Sequence, residues 1–173
     1  MAKNLCDTKH FEEVFEENNR SLTNFLYYQF GDLEKAKNFT QEAFIRLWSN
    51  CAKVVFEKAR SYLFTTGKRL FLDEVAHEKV KLKFAERQKS LDVDSPSTDD
   101  AVRTEEFKDA LEKAISSLSE KPRSIFLMNR IEKMKYSEIA DTMDISIKTV
   151  EKHMSQSLIK IREQLNEFGS FKF

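Results

Sequence analysis

The side chains best suited to a chemical role lie near the end of the chain, from Tyr136 to Leu165. Apolar residues recur there at the spacing of a short helix, a tight turn at Asp144 to Ser146 and a longer helix. The outer face of the longer helix would carry groups that donate to and accept from base edges and phosphates in a DNA major groove. These residues are Lys148, Thr149, Glu151, Lys152, Ser155 and Gln156. The pattern predicts a helix-turn-helix.

The packing and capping residues of this segment agree with that prediction. Ile139 and Val150 supply apolar contacts across the turn, and Ala140 is small where the two helices approach. Ser146 is a good N-cap for the second helix. Asp144 stands where such motifs usually have Gly, and Asp adopts the left-handed conformation more readily than most residues. The alternative interpretation is an ordinary helical hairpin with a solvated polar face.

No catalytic or metal-binding set is evident among the remaining residues. Glu74 and His77 have the Glu-x-x-His spacing of carboxylate-bridged metal sites in helical bundles, but that architecture needs a second such pair. Neither His10 nor His153 completes one. Three scattered glycines cannot form a phosphate-binding loop, and no nucleophile has an evident base beside it. We therefore expect a protein that is not an enzyme and that needs no cofactor or metal.

Long amphipathic helices are the elements that the composition favours. The 173 residues include only 3 Gly and 2 Pro, beside 15 Phe and 34% charged residues. Apolar residues recur at helical spacing from about Thr8 to Phe30. Gly31 then supplies a helix end, and Asp32 supplies an N-cap for a second helix that ends near Ser49. A third helical pattern runs from Ala59 towards Phe84.

The composition changes between Ser90 and Glu106, where six acidic residues stand beside Arg103 and almost nothing can be buried. Further helical patterns follow from Phe107 to Leu118 and, after a start at Ser119, through Ile131. The sequence therefore predicts an all-α fold of two small helical domains joined by an acidic flexible linker. The predicted domains are residues 8–89 and 105–166, and the linker is residues 90–104.

Charge, cysteine content and hydropathy indicate the cellular compartment and the kind of surface to expect. The net charge is zero, from 29 basic and 29 acidic side chains, so any nucleic-acid surface must be local. Cys6 and Cys51 match no metal spacing and are too few for a disulfide framework. No apolar run approaches the roughly 20 residues of a membrane span, and charged residues interrupt the N-terminus. These features predict a soluble, cytoplasmic protein in a reducing setting, without membrane insertion.

Three segments resemble the sigma factors of bacterial RNA polymerase. Residues 114–165 look like sigma region 4, which in that family reads the −35 promoter element, and also like the output domains of LuxR-type response regulators. Residues 31–48 are similar to sigma region 2.2, and residues 60–81 are similar to regions 2.3 and 2.4. A response-regulator receiver alternates strands and helices, whereas residues 8–88 predict helices only. The chain thus resembles the small, two-domain extracytoplasmic-function (ECF) sigma factors.

The resemblance implies three binding surfaces and their partners. The −35 element would meet the helix-turn-helix, and that domain would also dock the polymerase β flap. The helix that docks the β′ clamp coiled coil of core RNA polymerase would carry Gln41, Glu42, Arg46, Leu47 and Trp48. The −10 element would open against a pocket under the loop around residues 50–58. The residues implied in contact with this DNA are Lys58, Tyr62, Phe64, Lys68 and Arg69.

The chain departs from the family pattern in the segment that would contact the −10 element. Arg69 stands where the family usually has Asn, and Ala76, His77 and Glu78 stand where it has a run of arginines. A later basic cluster is a candidate replacement for those arginines, or a solvated helix face. The cluster consists of Lys79, Lys81, Lys83, Arg87 and Lys89.

Two other classes of function remain beside a sigma factor. A standalone helix-turn-helix regulator of LuxR-like type would bind promoter duplex without polymerase, usually as a dimer on paired half-sites. A helical adaptor would bind protein partners through its Phe-rich faces, but it would not explain the polar recognition face. The sigma-factor resemblance also implies an anti-sigma factor as a partner of the free protein.

Overall fold

The computed structural model describes residues 3–75 and 98–167, with backbone only at residue 75, residues 98–104 and residue 167. The described residues form seven α-helices and one short 3-10 helix, Phe56–Lys58, that precedes the third α-helix. The α-helices are α1 (Thr8–Phe30), α2 (Leu33–Ser49), α3 (Ala59–Val75), α4 (Thr98–Ser116), α5 (Glu120–Arg130), α6 (Tyr136–Met143) and α7 (Ile147–Glu167). The all-α prediction is confirmed.

The first three helices begin and end where local chemistry requires. Asp7 accepts hydrogen bonds from the backbone N–H groups of the first turn of α1. Gly31 ends α1 with φ of 80°, a left-handed conformation that suits glycine, and its N–H donates to the carbonyl of Tyr27. Asp32 caps α2 by accepting from the backbone N–H of Lys35 at 2.9 Å. The predicted boundary between α1 and α2 is therefore confirmed.

Aromatic and aliphatic side chains fill the core shared by α1, α2 and α3. Phe25 lies 5.1 Å from Phe64 between ring centroids, and Phe30 stacks on Phe71 at 3.8 Å. At Gly67 a Cβ atom would lie 3.2 Å from Cδ1 of both Leu22 and Leu26. Glycine thus allows α1 and α3 to approach closely, which sets the distance between them.

The second half of the chain contains the predicted helix-turn-helix, formed by α6 and α7. Asp144 ends α6 with φ of 53°, the left-handed conformation that the turn needs. The backbone N–H of Ile145 donates to the carbonyl of Ala140 at 3.0 Å. Ser146 caps α7, since its hydroxyl accepts from the backbone N–H of Thr149 at 3.1 Å. This motif is confirmed in its turn and in its cap.

Two sequence-based expectations need correction. Helix α4 begins at Thr98, so residues 98–104 are helical although they were predicted to belong to the linker. The acidic residues Asp99 and Asp100 that suggested a solvated linker also favour the positive end of a helix dipole. Cys6 and Cys51, to which the sequence assigned no bond, form a disulfide. Sequence spacing could not reveal this pair, because helices α1 and α2 separate the two cysteines by 45 positions.

The two halves pack against each other through α1 and α3 on one side and α5 and α6 on the other. Arg123 of α5 is buried, and its guanidinium donates to carbonyls at the end of α4, among them Ile115 at 3.2 Å. The same group reaches across to the carbonyl of Gln29 in α1 at 2.9 Å. The amide of Gln29 in turn donates to the carbonyl of Glu120 at 3.2 Å. A buried polar network thus joins the two helical units.

Candidate polymerase- and DNA-binding surfaces

The outer face of α7 presents the residues predicted for duplex recognition. Lys148, Glu151 and Lys152 are exposed, as are Ser155 and Gln156. Thr149 is half-buried, and its hydroxyl lies 2.8 Å from that of Ser146 at the helix start. Beneath this face, Val150 and Met154 are almost fully buried against the rest of the domain. The helix therefore separates a packing side from a polar side, as a recognition helix requires.

The charged groups of this recognition face are unpaired in the structure. Among the described residues, neither Lys148 nor Lys152 has a carboxylate within ion-pair distance, and Glu151 has no basic partner. These side chains can therefore turn towards a partner without first breaking an ion pair. A duplex groove supplies phosphates and guanine acceptors for lysine, and cytosine amino groups for glutamate.

A second exposed surface lies on α2, where the polymerase-binding residues were predicted. Gln41 and Arg46 are exposed, and Trp48 keeps 45% of its surface exposed. Nε of Arg46 lies 2.9 Å from Oε1 of Glu42, one helical turn earlier. Leu47 is fully buried, so it contributes to the core and not to the exposed surface.

Two hydrophobic residues of this surface were not predicted from the sequence. Ile45 is 60% exposed and lies between Gln41 and Trp48 on one helical stripe. Phe15 of α1 is 43% exposed, and its ring lies 4.9 Å from that of Phe44. The signal for Ile45 was an isoleucine outside the buried stripe of α2, whereas Phe15 matched the buried stripe of α1. We call Phe15, Gln41, Glu42, Ile45, Arg46 and Trp48 the α2 surface.

The third surface is formed by α3 and the loop before it. Tyr62 is half-buried, and its hydroxyl accepts a hydrogen bond from the side-chain amide of Asn50 at 3.3 Å. Arg69 is exposed. Phe64 is fully buried, with its ring against Phe25, which contradicts the prediction that it contacts DNA. In sequence Phe64 lies between Leu63 and Thr65, and on α3 it points towards the core.

The two lysines predicted for this surface form ion pairs with acidic residues of the other half. Nζ of Lys58 lies 2.7 Å from Oδ2 of Asp141 in α6. Nζ of Lys68 lies 3.3 Å from Oε1 of Glu120 in α5, and its side chain is only 12% exposed. Both pairs join the first helical unit to the second. We call Lys58, Tyr62, Lys68 and Arg69 the α3 surface.

Hydrogen bonds also hold α6 against α3. The hydroxyl of Thr65 donates to the carbonyl of Thr142 at 3.0 Å. The hydroxyl of Thr142 lies 2.9 Å from that of Ser61. Thr142 is itself buried. The first helix of the helix-turn-helix is therefore held against the helix predicted to contact the −10 element.

Glu132, in the turn between α5 and α6, is the most perturbed carboxyl group of this interface. Its side chain is 4% exposed and faces Arg60 of α3, whose guanidinium lies 3.7 Å from Oε2 and donates to the Glu132 backbone carbonyl. Burial raises the pKa of Glu132 from 4.5 to about 7, although the charge of Arg60 opposes the rise. The interface therefore contains a carboxyl group that titrates near neutral pH.

Two negative findings concern only the described part of the chain. No group of three or more His, Cys, Asp or Glu side chains is arranged to hold a metal ion. No helix combines the length and apolar character needed to cross a membrane. His77 and the basic cluster from Lys79 to Lys89 lie outside the described residues.

Comparison with known families assigns both halves of the chain. Residues 14–80 match the model of sigma-70 region 2, and residues 108–161 match the model of sigma-70 region 4. The first match contains α2 and α3, and the second contains the helix-turn-helix. A polypeptide with both regions is a sigma factor of the sigma-70 class. LuxR-type regulators find no support, because the first half matches region 2.

Individual relatives narrow this class. The ferric citrate uptake sigma factor FecI of Escherichia coli is 23% identical over 86% of this chain and 86% of its own length. The ECF RNA polymerase sigma factor SigW of Bacillus subtilis is 21% identical over 93% of this chain and 91% of its own. The solved structure of the sigma factor RpoE in complex with the anti-sigma factor NepR from Bartonella quintana has the same fold, with a TM-score of 0.70, 17% identity and coverage of 92% of this chain and 98% of that one. The chain belongs to the ECF sigma factors and directs promoter-specific transcription.

Proposed function

We propose that α1–α3 bind core RNA polymerase and open the −10 element, while α4–α7 read the −35 element and dock the β flap. The observation that carries this proposal is the presence of region 2 and region 4 in one chain, each with its own exposed surface. On this proposal the protein has no enzymatic activity of its own and works in the cytoplasm, where the polymerase is. The proposed first unit is residues 8–89, and the proposed second unit is residues 98–166, because α4 begins at Thr98.

The α2 surface is the proposed docking site for the β′ clamp coiled coil. Ile45 and Trp48 offer apolar area at its centre, and Arg46 with Glu42 supplies charges at its edge. Aromatic and arginine side chains carry much of the binding energy at protein interfaces. The ring of Trp48 packs edge-on against Phe11 with centroids 5.0 Å apart, so it is held in place before binding. A preorganised anchor loses little conformational entropy on association.

The α3 surface is the proposed contact with the opened −10 element. Unstacking and unpairing a base costs a few kcal/mol, so the protein must offer a stacking surface and phosphate contacts in return. Tyr62 supplies an aromatic ring beside the loop of residues 50–58, and Lys58, Lys68 and Arg69 supply positive charge. Phe64 is left out of this proposal because it is buried.

The recognition face of α7 is the proposed contact with the −35 element. Lys148 and Lys152 lie one turn apart and are suited to guanine acceptors or phosphates, and Glu151 is suited to a cytosine amino group. Ser155 and Gln156 extend the polar face by another turn. The start of the helix is fixed by its Ser146 cap, which orients these side chains as a group.

The closed packing of the two units implies a step before promoter binding. Asp141 and Glu120 hold Lys58 and Lys68, so these two lysines reach DNA only after their ion pairs with α6 and α5 have broken. Core polymerase would separate the units by binding the α2 surface and the second domain at different places. We further propose that an anti-sigma factor binds the free protein, as NepR binds RpoE in the solved complex.

Run-off transcription with purified core polymerase, on fragments of the protein's own genome, tests this function. Transcripts that begin at defined sites only when the protein is present would support it, and their upstream sequences would reveal both promoter elements. Failure to direct core polymerase to any site, together with sequence-specific binding of duplex DNA by the protein alone, would contradict it.

A further inference from the structure

The only two cysteines of the chain lie together on the surface of the first helical unit. Cys6 belongs to the segment before α1, and Cys51 belongs to the turn after α2. Their Cα atoms are 5.1 Å apart and their sulfur atoms are bonded, although 45 positions separate them in sequence. The fold of α1 and α2 therefore brings two thiols to one place without any local sequence motif.

Contacts other than the disulfide hold the same two segments together. Leu5 is buried, with 1% of its surface exposed. The ammonium group of Lys3 lies 4.6 Å from the ring centroid of Phe56, and His10 packs edge-on against that ring at 6.1 Å. Apart from the disulfide at Cys51, the N-terminal segment thus contacts the loop of residues 50–58 near its end, through Lys3 and Phe56. These contacts would keep the two sulfurs close after reduction.

The pair is accessible to small reagents. Cys6 is exposed, and Cys51 is half-buried. Disulfides that occur in a reducing compartment are usually transient or redox-sensing, and exposed ones are the more labile. A disulfide in a protein that works beside polymerase in the cytoplasm is therefore better explained by reversible oxidation than by permanent stapling.

We propose that Cys6 and Cys51 form a reversible thiol–disulfide site that reacts with low-molecular-weight thiols and disulfides and, when oxidised, fastens the N-terminal segment to the loop of residues 50–58. The Cys6 thiolate attacks one sulfur of a small disulfide, forms a mixed disulfide and releases one small thiolate. The Cys51 thiolate then displaces the second. The protein sulfurs lose two electrons, the small disulfide gains them, and the two thiol protons pass to the released thiolates.

The consequence for transcription rests on the function proposed above, in which this loop forms part of the −10 pocket. Oxidation removes freedom from the loop, because its first residues become covalently tied to a segment anchored by Leu5. A loop that is ordered in advance loses less entropy when it accepts DNA. We expect the oxidised protein to form open complexes more readily than the reduced protein does.

The first experiment needs no polymerase. The full-length protein is treated with oxidised glutathione or with dithiothreitol, and free thiols are counted by maleimide mass tagging. We expect both thiols to be lost on oxidation in a monomeric product that contains a Cys6–Cys51 peptide, and to return on reduction. Hydrogen exchange of loop amides such as Lys53 and Val54, which donate to the Asn50 carbonyl, should slow about tenfold in the oxidised form.

Matched single variants separate the disulfide from the packing around it. Cys6→Ser and Cys51→Ser each leave one thiol, and in both variants loop exchange should be the same under oxidising and reducing conditions. The wild-type midpoint of thermal unfolding should fall by about 5 to 15 °C on reduction. Disulfide-linked dimers, a stable glutathione adduct on Cys6, or loop exchange that is identical in the two redox states would overturn the proposal.

A transcription assay then distinguishes this inference from the proposed function. With core polymerase, the oxidised wild-type protein should give about three- to tenfold more open complex than the reduced protein or either serine variant, as expected for ordering one short loop. Equal promoter-directed transcription in all four samples would contradict the role of the pair and leave the sigma function supported. Promoter-directed transcription by none of them would contradict the sigma function, while the thiol and exchange results would still decide whether the site is reversible.

Discussion

The α2 surface and the α3 surface lie on the same helical unit but differ in how much of each is available. On α2, Ile45 and Trp48 are 60% and 45% exposed, and the ion pair between Glu42 and Arg46 stays within the helix. On α3, Lys58 and Lys68 pair with acidic residues of the second unit. The proposed polymerase contact is thus open in the free protein, whereas two of the four residues of the proposed −10 contact are paired with the second unit.

This difference sets an order of events. A partner that recognises the α2 surface can bind the closed protein, because none of the ion pairs that join the two units in the described part of the chain involves that surface. DNA that contacts Lys58 and Lys68 must first break their ion pairs with α6 and α5. Free protein would therefore bind the −10 element weakly, and binding to polymerase would precede promoter opening.

The largest effect on binding is expected at the α2 surface, which is open in the free protein. Replacing Arg46 and Trp48 together with alanine removes the charged and aromatic anchors of the α2 surface and should weaken core binding about 100-fold or more. The measurement is co-elution with core polymerase and a competition titration. Ile131→Ala is a matched control, since Ile131 is 44% exposed but lies in the other unit. Co-elution of the double variant at wild-type levels would contradict the β′ assignment.

The sequence predicted the elements better than it predicted the contacts between them. Helix ends at Gly31 and Ser49, and the turn at Asp144, follow from local capping chemistry, which a single sequence displays. The burial of Phe64 and the exposure of Phe15 do not follow from such local signals. Which side of such a helix meets a neighbour depends on the packing of all three helices.

Contacts between the two units could not be predicted from the sequence, for a different reason. Gln29, Arg123 and Thr142 are polar residues, yet all three are buried where the units meet. Their hydrogen-bond partners are backbone carbonyls and hydroxyl groups, which cannot be predicted from the pattern of side chains in the sequence. The Cys6–Cys51 pair is similar, because its geometry exists only after α1 and α2 have packed.

The second prediction concerns the recognition face of α7, which is also open. Lys152→Ala should weaken binding of duplex −35 DNA by the holoenzyme by about 1 to 3 kcal/mol and relax preference at one base pair if the lysine reads a base. Arg162→Ala is the control, because Arg162 is an exposed cation on the same helix, nearly two turns beyond Gln156, the last residue of the recognition face. Footprints with unchanged affinity and sequence preference would refute the role of Lys152.

The third prediction concerns a variant that frees the lysines of the α3 surface without changing any residue of that surface. Asp141→Lys combined with Glu120→Lys places positive charge opposite Lys58 and Lys68 and turns two attractive pairs into repulsive ones. Because the exposed Lys58–Asp141 pair contributes about 1 kcal/mol or less and Lys68 of the second pair is only 12% exposed, the free protein should bind single-stranded −10 DNA about tenfold more tightly. Fluorescence anisotropy with a labelled oligonucleotide measures this affinity.

The control for that variant must reproduce its change in net charge. Glu106→Lys combined with Glu163→Lys adds the same charge at two exposed positions of the second unit that form none of the ion pairs described above. If both double variants gain affinity equally, the gain comes from overall charge, and the covered state of the α3 surface would have no effect on DNA binding.

The smallest effect is expected from pH, through Glu132. Its pKa of about 7 in the closed protein exceeds the ordinary value of 4.5, so the closed state holds a proton that an opened state with Glu132 in water would release. The stabilisation of the closed state by this group is therefore fully present below about pH 4.5 and is lost as the pH rises through 7. Between pH 6.5 and 7.5 the ratio of open to closed protein should rise about threefold.

Energy transfer between fluorophores on unnatural amino acids at positions 37 and 162, one in each unit and both exposed, measures this ratio. Glu132→Gln removes the titration but keeps the size of the side chain, so its ratio should not change over the same pH range. Because Arg60 is the charged group that faces Glu132, Arg60→Gln should raise the pKa of Glu132 further and shift opening to higher pH. An equal pH response in wild type and Glu132→Gln would mean that another group controls the opening.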